Sequence, residues 1–242
     1  MEAPSRQSAP GSSAAIAQFP GDRREALARL RRQLGEKVQW AGEALERETF
    51  ATGIEGLDET LGGGLPRGAL TEVVAAADSR GAQSLLVQVI RAARRERQFV
   101  ALIDALDRFD PATAGAEALP HLLWVRCQEA AQALQAADLL MRDENFPVLL
   151  VDLRDASAQA LRQAHASLWY RLQRVGAQHG SVCLVFTPRP MVPSAELRLE
   201  LVNAPLGLAS LEQPPGALHG QLEAQVLRSR LASGQPSQFA AG

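Results

Sequence analysis

Between two apolar runs the chain reads AAADSRGAQS, residues 75–84. Small and polar residues between a strand and a helix are the form of a phosphate-binding loop. In such a loop, backbone N–H groups and a helix N-terminus surround the phosphates, a lysine reaches the outer two, and a Ser/Thr hydroxyl holds magnesium. Here Ala82 and Gln83 stand where lysine and Ser/Thr belong, and Lys37, far upstream, is the only lysine of the chain. Arg80 and Ser84 are weak substitutes. Asp78, Ser79, Arg80, Gly81, Ala82 and Gln83 therefore outline a vestigial nucleotide site rather than a working one. Asp152, the last residue of VLLVD, is the other half of the pattern, because an acid at a strand's C-terminal end contacts the metal's water shell. It reads equally as a cap for the turn that follows, where Asp155 and Ser157 precede a helix. Loss of hydrolysis is expected, with weak nucleotide binding as the alternative, and no cofactor is assigned.

Other chemistries are poorly served. His121, His165, His179 and His219 share no metal-ligand spacing with one another or with Cys127 and Cys183, so no metal site is expected. Cys183 lies in the apolar run SVCLVF, where a cysteine behaves as a small hydrophobe. The formal net charge is −2 over 242 residues, so any affinity for nucleic acid must be local. No stretch approaches the ~20 apolar residues of a membrane span, and the N-terminus lacks signal-peptide character; a cytoplasmic protein is expected.

The elements that must position these residues follow from the hydrophobic spacing. Residues 1–20, rich in Ala, Ser, Pro and Gly, read as a disordered leader. Over 21–48, Leu27, Leu30, Leu34 and Val38 recur at helical intervals behind a candidate N-cap, Asp22, and predict an N-terminal helix. Gly62, Gly63 and Gly64, then Pro66 and Gly68, force turns before the strand ALTEVV. Helix and strand then alternate: helix about 82–97, strand 99–104, strand 122–126, helix 128–144, strand 146–152, one long helix beginning ASAQALRQ, and strand 181–187. Apolar strands without in/out alternation, separated by crossover helices, indicate α/β architecture, a mostly parallel sheet flanked by helices. After Pro193 the pattern changes to short antiparallel strands closing a C-terminal edge. The core is expected over 49–231, and 232–242 reads as a flexible tail.

Taken together, GLDETLGGGLPRGALTEVV, the loop, LLVQVIRAARRERQFVALIDALDRFDP and PVLLVD resemble the core of RecA recombinases, from about residue 51 to about 202. The resemblance implies a RecA-like fold with a degenerate P-loop. The family's GKT-type loop is replaced by GAQ with one extra residue. Its catalytic glutamate falls two residues after the ID pair, where this chain has Leu106. Its long DNA-binding loop is reduced to PRPMVP after SVCLVFT. Three separate losses imply a RecA-like pseudo-ATPase.

In size and loop pattern the chain looks like the ImuA proteins, RecA- and SulA-related accessories of SOS mutagenesis. That resemblance implies protein–protein work in translesion DNA synthesis beside an ImuB-type Y-family polymerase homologue, and with RecA or DNA as further partners. A SulA-like cell-division inhibitor is the alternative, and a RecA/RadA-type DNA-dependent ATPase a third reading. In RecA an N-terminal helix packs on the neighbouring protomer, so Arg23, Arg24, Leu27, Leu30, Arg31 and Leu34 are expected either to mediate self- or partner-association or to pack on their own core. Arg91, Arg94, Arg95 and Arg97 crowd one helix end. They are candidates for DNA or partner contact, against the alternative that they complement the helix dipole and solvate the surface.

Overall fold

A computed structural model describes residues 47–202 and 222–231, all within the unit Ala44–Gly242. The expected leader, the N-terminal helix with its six candidate contact residues, and the tail lie outside the described residues. Only Arg47 and Glu48, at the end of that expected helix, are described, and they are not helical.

The chain enters through a small antiparallel pair, β1 (Thr49–Phe50) and β2 (Leu65–Pro66), joined by the short helix α1 (Glu55–Thr60). Asp58 organises this entry. Its carboxylate accepts from the Thr52 N–H at 2.9 Å, the Thr52 hydroxyl at 2.7 Å and the Gly53 N–H at 2.9 Å. Gly64 has φ +128°, and a Cβ there would lie 2.2 Å from the Phe50 carbonyl oxygen, so the pair closes only on glycine.

Among the described residues seven strands make the main sheet: β3 (Leu70–Val74), β4 (Val100–Asp104), β5 (Leu122–Arg126), β6 (Val148–Asp152), β7 (Val182–Thr187), β8 (Leu197–Val202) and β9 (Glu223–Ser229), in the order β5-β4-β6-β7-β3-β8-β9. All neighbours are parallel except β8 and β9. The mostly parallel α/β sheet and the antiparallel C-terminal edge expected from the sequence are present. β8 differs in one respect: it pairs antiparallel with β9 but parallel with β3, and so extends the main sheet.

The central strands β3, β4, β6 and β7 are buried along their whole length because helices cover both faces. On one face Leu102, Leu150 and Leu184 meet Leu85, Leu86, Val89 and Ile90 of α2 (Arg80–Arg95). Each such buried side chain is worth roughly 1.5–3 kcal/mol, enough for packing rather than intrinsic propensity to hold the helix. On the other face Ile103, Leu149, Val151 and Val185 meet Ala133, Leu134 and Ala137 of α4 (Ala130–Leu140). Trp169 and Leu172 of α6 (Ala166–His179) complete that layer. The adjoining residues along β6, Leu149 and Leu150, belong to opposite cores, as the two-residue period of a strand requires.

Short helices lie at the connections, α3 (Pro111–Ala114) and α5 (Ala158–Arg162). The single long helix expected after β6 is in fact α5 and α6, separated at Gln163–His165, where His165 is extended. No glycine or proline marks that break, so hydrophobic spacing reads straight through it. Ser157 caps α5 by accepting from the Ala160 N–H at 3.2 Å.

Candidate functional site

β3, β4, β6 and β7 run the same way, so Val74, Asp104, Asp152 and Thr187 finish along one edge. In parallel α/β sheets ligands bind there. The joint after β3 is tied down at both ends. Ala75 N–H donates to the Thr187 carbonyl at 3.0 Å, and Ser79 caps α2 by accepting from the Ala82 N–H at 3.3 Å. This cap starts the helix at Arg80, two residues earlier than the apolar spacing predicts. Gly81, Ala82 and Gln83 are consequently its first turn, while Ala76, Ala77 and Asp78 are the exposed part of the loop.

The first turn of α2 is partly covered. A Cβ on Gly81 would lie 3.0 Å from Leu222 Cδ1 and 3.8 Å from Leu201 Cβ, so the β8–β9 end sits against the helix start. Gln83 reaches across to Thr113, at 3.5 Å.

Asp152 is engaged by Arg154, which the sequence reading passed over. The guanidinium Nε donates to Oδ1 at 2.9 Å and a terminal nitrogen to Oδ2 at 2.6 Å, a two-bond fork. The other terminal nitrogen donates to the Ser79 carbonyl at 3.3 Å. The Arg154 guanidinium also lies 5.8 Å from the Phe186 ring centre. Only 5% of the Arg154 side chain is exposed. Burial opposes its charge, but the hydrogen bonds and charge of Asp152, with Asp155 and Asp104 nearby, outweigh that and hold it above the ordinary arginine range. A signal was available in the sequence: VDLRDA places one arginine between two acids right after a buried strand.

At the neighbouring strand end Asp104 is buried and serves its own loop, accepting from the Phe109 N–H at 2.7 Å. Leu106 is 37% exposed beyond it. Asp107, at φ +57°, is gripped by Arg126, whose Nε donates to Oδ1 at 2.6 Å. The hydrogen bond from Arg126 holds the Asp107 carboxyl below its ordinary range. The Arg126 guanidinium also lies 4.9 Å from the Trp124 ring centre.

The short segment after β7 is anchored from beneath by Glu72, which is fully buried in β3. Its Oε1 accepts from the Thr187 hydroxyl at 3.0 Å, the Met191 N–H at 2.7 Å and the Val192 N–H at 3.0 Å. Its Oε2 accepts from Arg198 Nε at 2.6 Å.

The arginines at the far end of α2 divide. Arg91 donates to the carbonyls of Ala114 at 3.0 Å and Thr113 at 3.1 Å, and Arg94 to that of Glu117 at 3.1 Å, stapling the 111–117 segment. Arg95 lies over Gly53, where a Cβ would come 2.4 Å from its guanidinium. Arg97, exposed at φ +57°, ends the helix. The cluster therefore stands at the opposite end of α2 from Ser79.

A triphosphate with its magnesium asks for a lysine in the first turn of α2 and a free carboxylate at the tip of β6. The residues present do not fit that demand: the turn holds Gly81, Ala82 and Gln83, and both Asp152 oxygens are occupied by Arg154. Among the described residues no group of three or more His, Cys, Asp or Glu could hold a metal ion. None of the described helices is long and apolar enough to cross a membrane.

A parallel sheet covered on both faces, with a loop-to-helix joint and acids at its strand ends, defines the class of α/β proteins that carry their sites at the C-terminal sheet edge. Within that class the chain belongs to the RecA N-terminal domain family, which matches residues 24–164. Protein RecA of Blastochloris viridis is 37% identical to it over 135 residues, 52% of this chain and 38% of that relative. The matched region thus spans well under half the length of that relative.

Proposed function

We propose that the chain is a non-catalytic RecA-like accessory protein of the ImuA type, acting by protein–protein contact in translesion DNA synthesis. The observation that carries the non-catalytic part is the first turn of α2, which has no lysine and is packed against Leu222 and Leu201. Leu106, where a water-activating glutamate would stand, supports it, as does the six-residue PRPMVP segment in place of a long DNA loop. The ImuA reading is supported by the resemblance in size and loop pattern. It gives as partners an ImuB-type Y-family polymerase homologue, then RecA or DNA, in the cytoplasm.

Two measurements test the proposal. Purified protein should turn over no ATP above background with or without single-stranded DNA; turnover abolished by Asp152→Asn would overturn the non-catalytic reading. A quantitative pull-down from DNA-damaged cells should recover a Y-family polymerase homologue. Recovery of a tubulin-like division protein instead would replace translesion synthesis with division control.

A further inference from the structure

Asp152 at the tip of β6 and Arg154 just beyond it fold back on each other, and the same guanidinium reaches Ser79, 75 residues away in sequence. Ser79 is the residue on which α2 begins, through its hydroxyl and the Ala82 N–H. One buried cation therefore links the acid of one strand end to the helix start of another. A divalent metal would compete for the same two Asp152 oxygens. Admitting it would deprive a nearly buried guanidinium of the carboxylate that pairs with it, an arrangement proteins avoid.

We infer that Arg154 is an internal tie between the tip of β6 and the phosphate-loop position, supplying from within the chain, at the Ser79 carbonyl, the anchor that holds the 75–82 joint in one conformation without nucleotide. The inference rests on the non-catalytic reading of the site and extends it to regulation. A joint fixed by its own arginine presents the same exposed surface, Ala76 to Asp78, whether ATP is abundant or scarce. Partner binding through this edge would then be independent of nucleotide, because a ligand shifts a conformational equilibrium only through differential affinity for its states.

Hydrogen exchange of the full chain tests this. In Arg154→Ala the amides of residues 75–82 should exchange about tenfold faster, reporting local opening, while those of β6 and β7 stay protected. Methylguanidinium, which refills the hole, should restore protection, and saturating Mg-ATP should leave the wild-type joint unchanged. Wild-type exchange rates in Arg154→Ala, or a wild-type joint that becomes protected only with Mg-ATP, would overturn the inference. Should Arg154→Ala lose sheet protection as well, Arg154→Lys decides. Its ammonium keeps the charge but cannot make the fork, so joint exchange rises with the sheet intact, whereas wild-type rates would again overturn the inference. ATP turnover by the wild type bears on the non-catalytic reading instead. Unchanged exchange in the variants without turnover sinks this inference alone.

Discussion

Two of the carboxylates buried at the functional edge of the sheet are paired with arginines, and each finds its donors differently. Asp152 has a single arginine two residues away, whereas Glu72 collects a hydroxyl, two backbone N–H groups and Arg198 from the last third of the chain. Removing one member of such a buried pair leaves an uncompensated charge. Glu72→Ala should therefore cost roughly 3–5 kcal/mol in urea unfolding. The partners act as a unit, so Arg198→Ala added to Glu72→Ala should cost far less than Arg198→Ala alone. Additive losses would mean that the two residues stabilise the chain separately. The role of Glu72 was not legible in the sequence, because its donors lie more than a hundred residues away from its strand. For Arg154, VDLRDA signals the pairing with Asp152, but the contact with Ser79 exists only once the fold brings the two together.

Helix α2 illustrates what an element can and cannot declare in advance. Its buried face was legible, because Leu85, Leu86, Val89 and Ile90 follow helical spacing, but its ends are set by single hydrogen bonds that periodicity does not encode. Ser79 moves the start to Arg80. At the other end the Arg97 N–H donates to the Arg94 carbonyl at 3.1 Å and the Gln98 N–H to the Ala93 carbonyl at 2.9 Å, the paired bonds of a Schellman ending. That motif requires the left-handed conformation at Arg97, where glycine is the usual residue. Arg97→Gly should raise stability by about 1 kcal/mol, read as a higher urea midpoint with unchanged slope. A loss would show that the Arg97 side chain makes contacts worth more than the strain. The strand sequence β3 to β7 was legible for the same reason as the helix face. The split into α5 and α6 and the parallel pairing of β8 were not, since neither changes the local apolar pattern.

At the scale of the molecule, one sheet separates two cores, and the two free cysteines sample the same layer at different depths. Cys183 lies in β7 near the sheet centre, and burial pushes its thiol far above the ordinary range. Burial, with the Asp104 charge, raises Cys127 beside the β5 edge. Because the thiolate is the reactive form, a disulfide reagent at mildly alkaline pH should label Cys127 first. Cys183 should be labelled only at the rate of global unfolding, accelerating with urea as global stability falls. Equal rates would show that the layer opens as one piece. The sheet order has a further consequence, for synthesis. β3 lies between β7 and β8, and its Glu72 waits for partners 115 and 126 residues later in the chain. As the protein leaves the ribosome, β3, an interior strand, emerges early with both edges unpaired, and its second neighbour, β8, begins only at Leu197. The growing chain is thus most open to mispairing, and most in need of chaperones, between the emergence of those two strands.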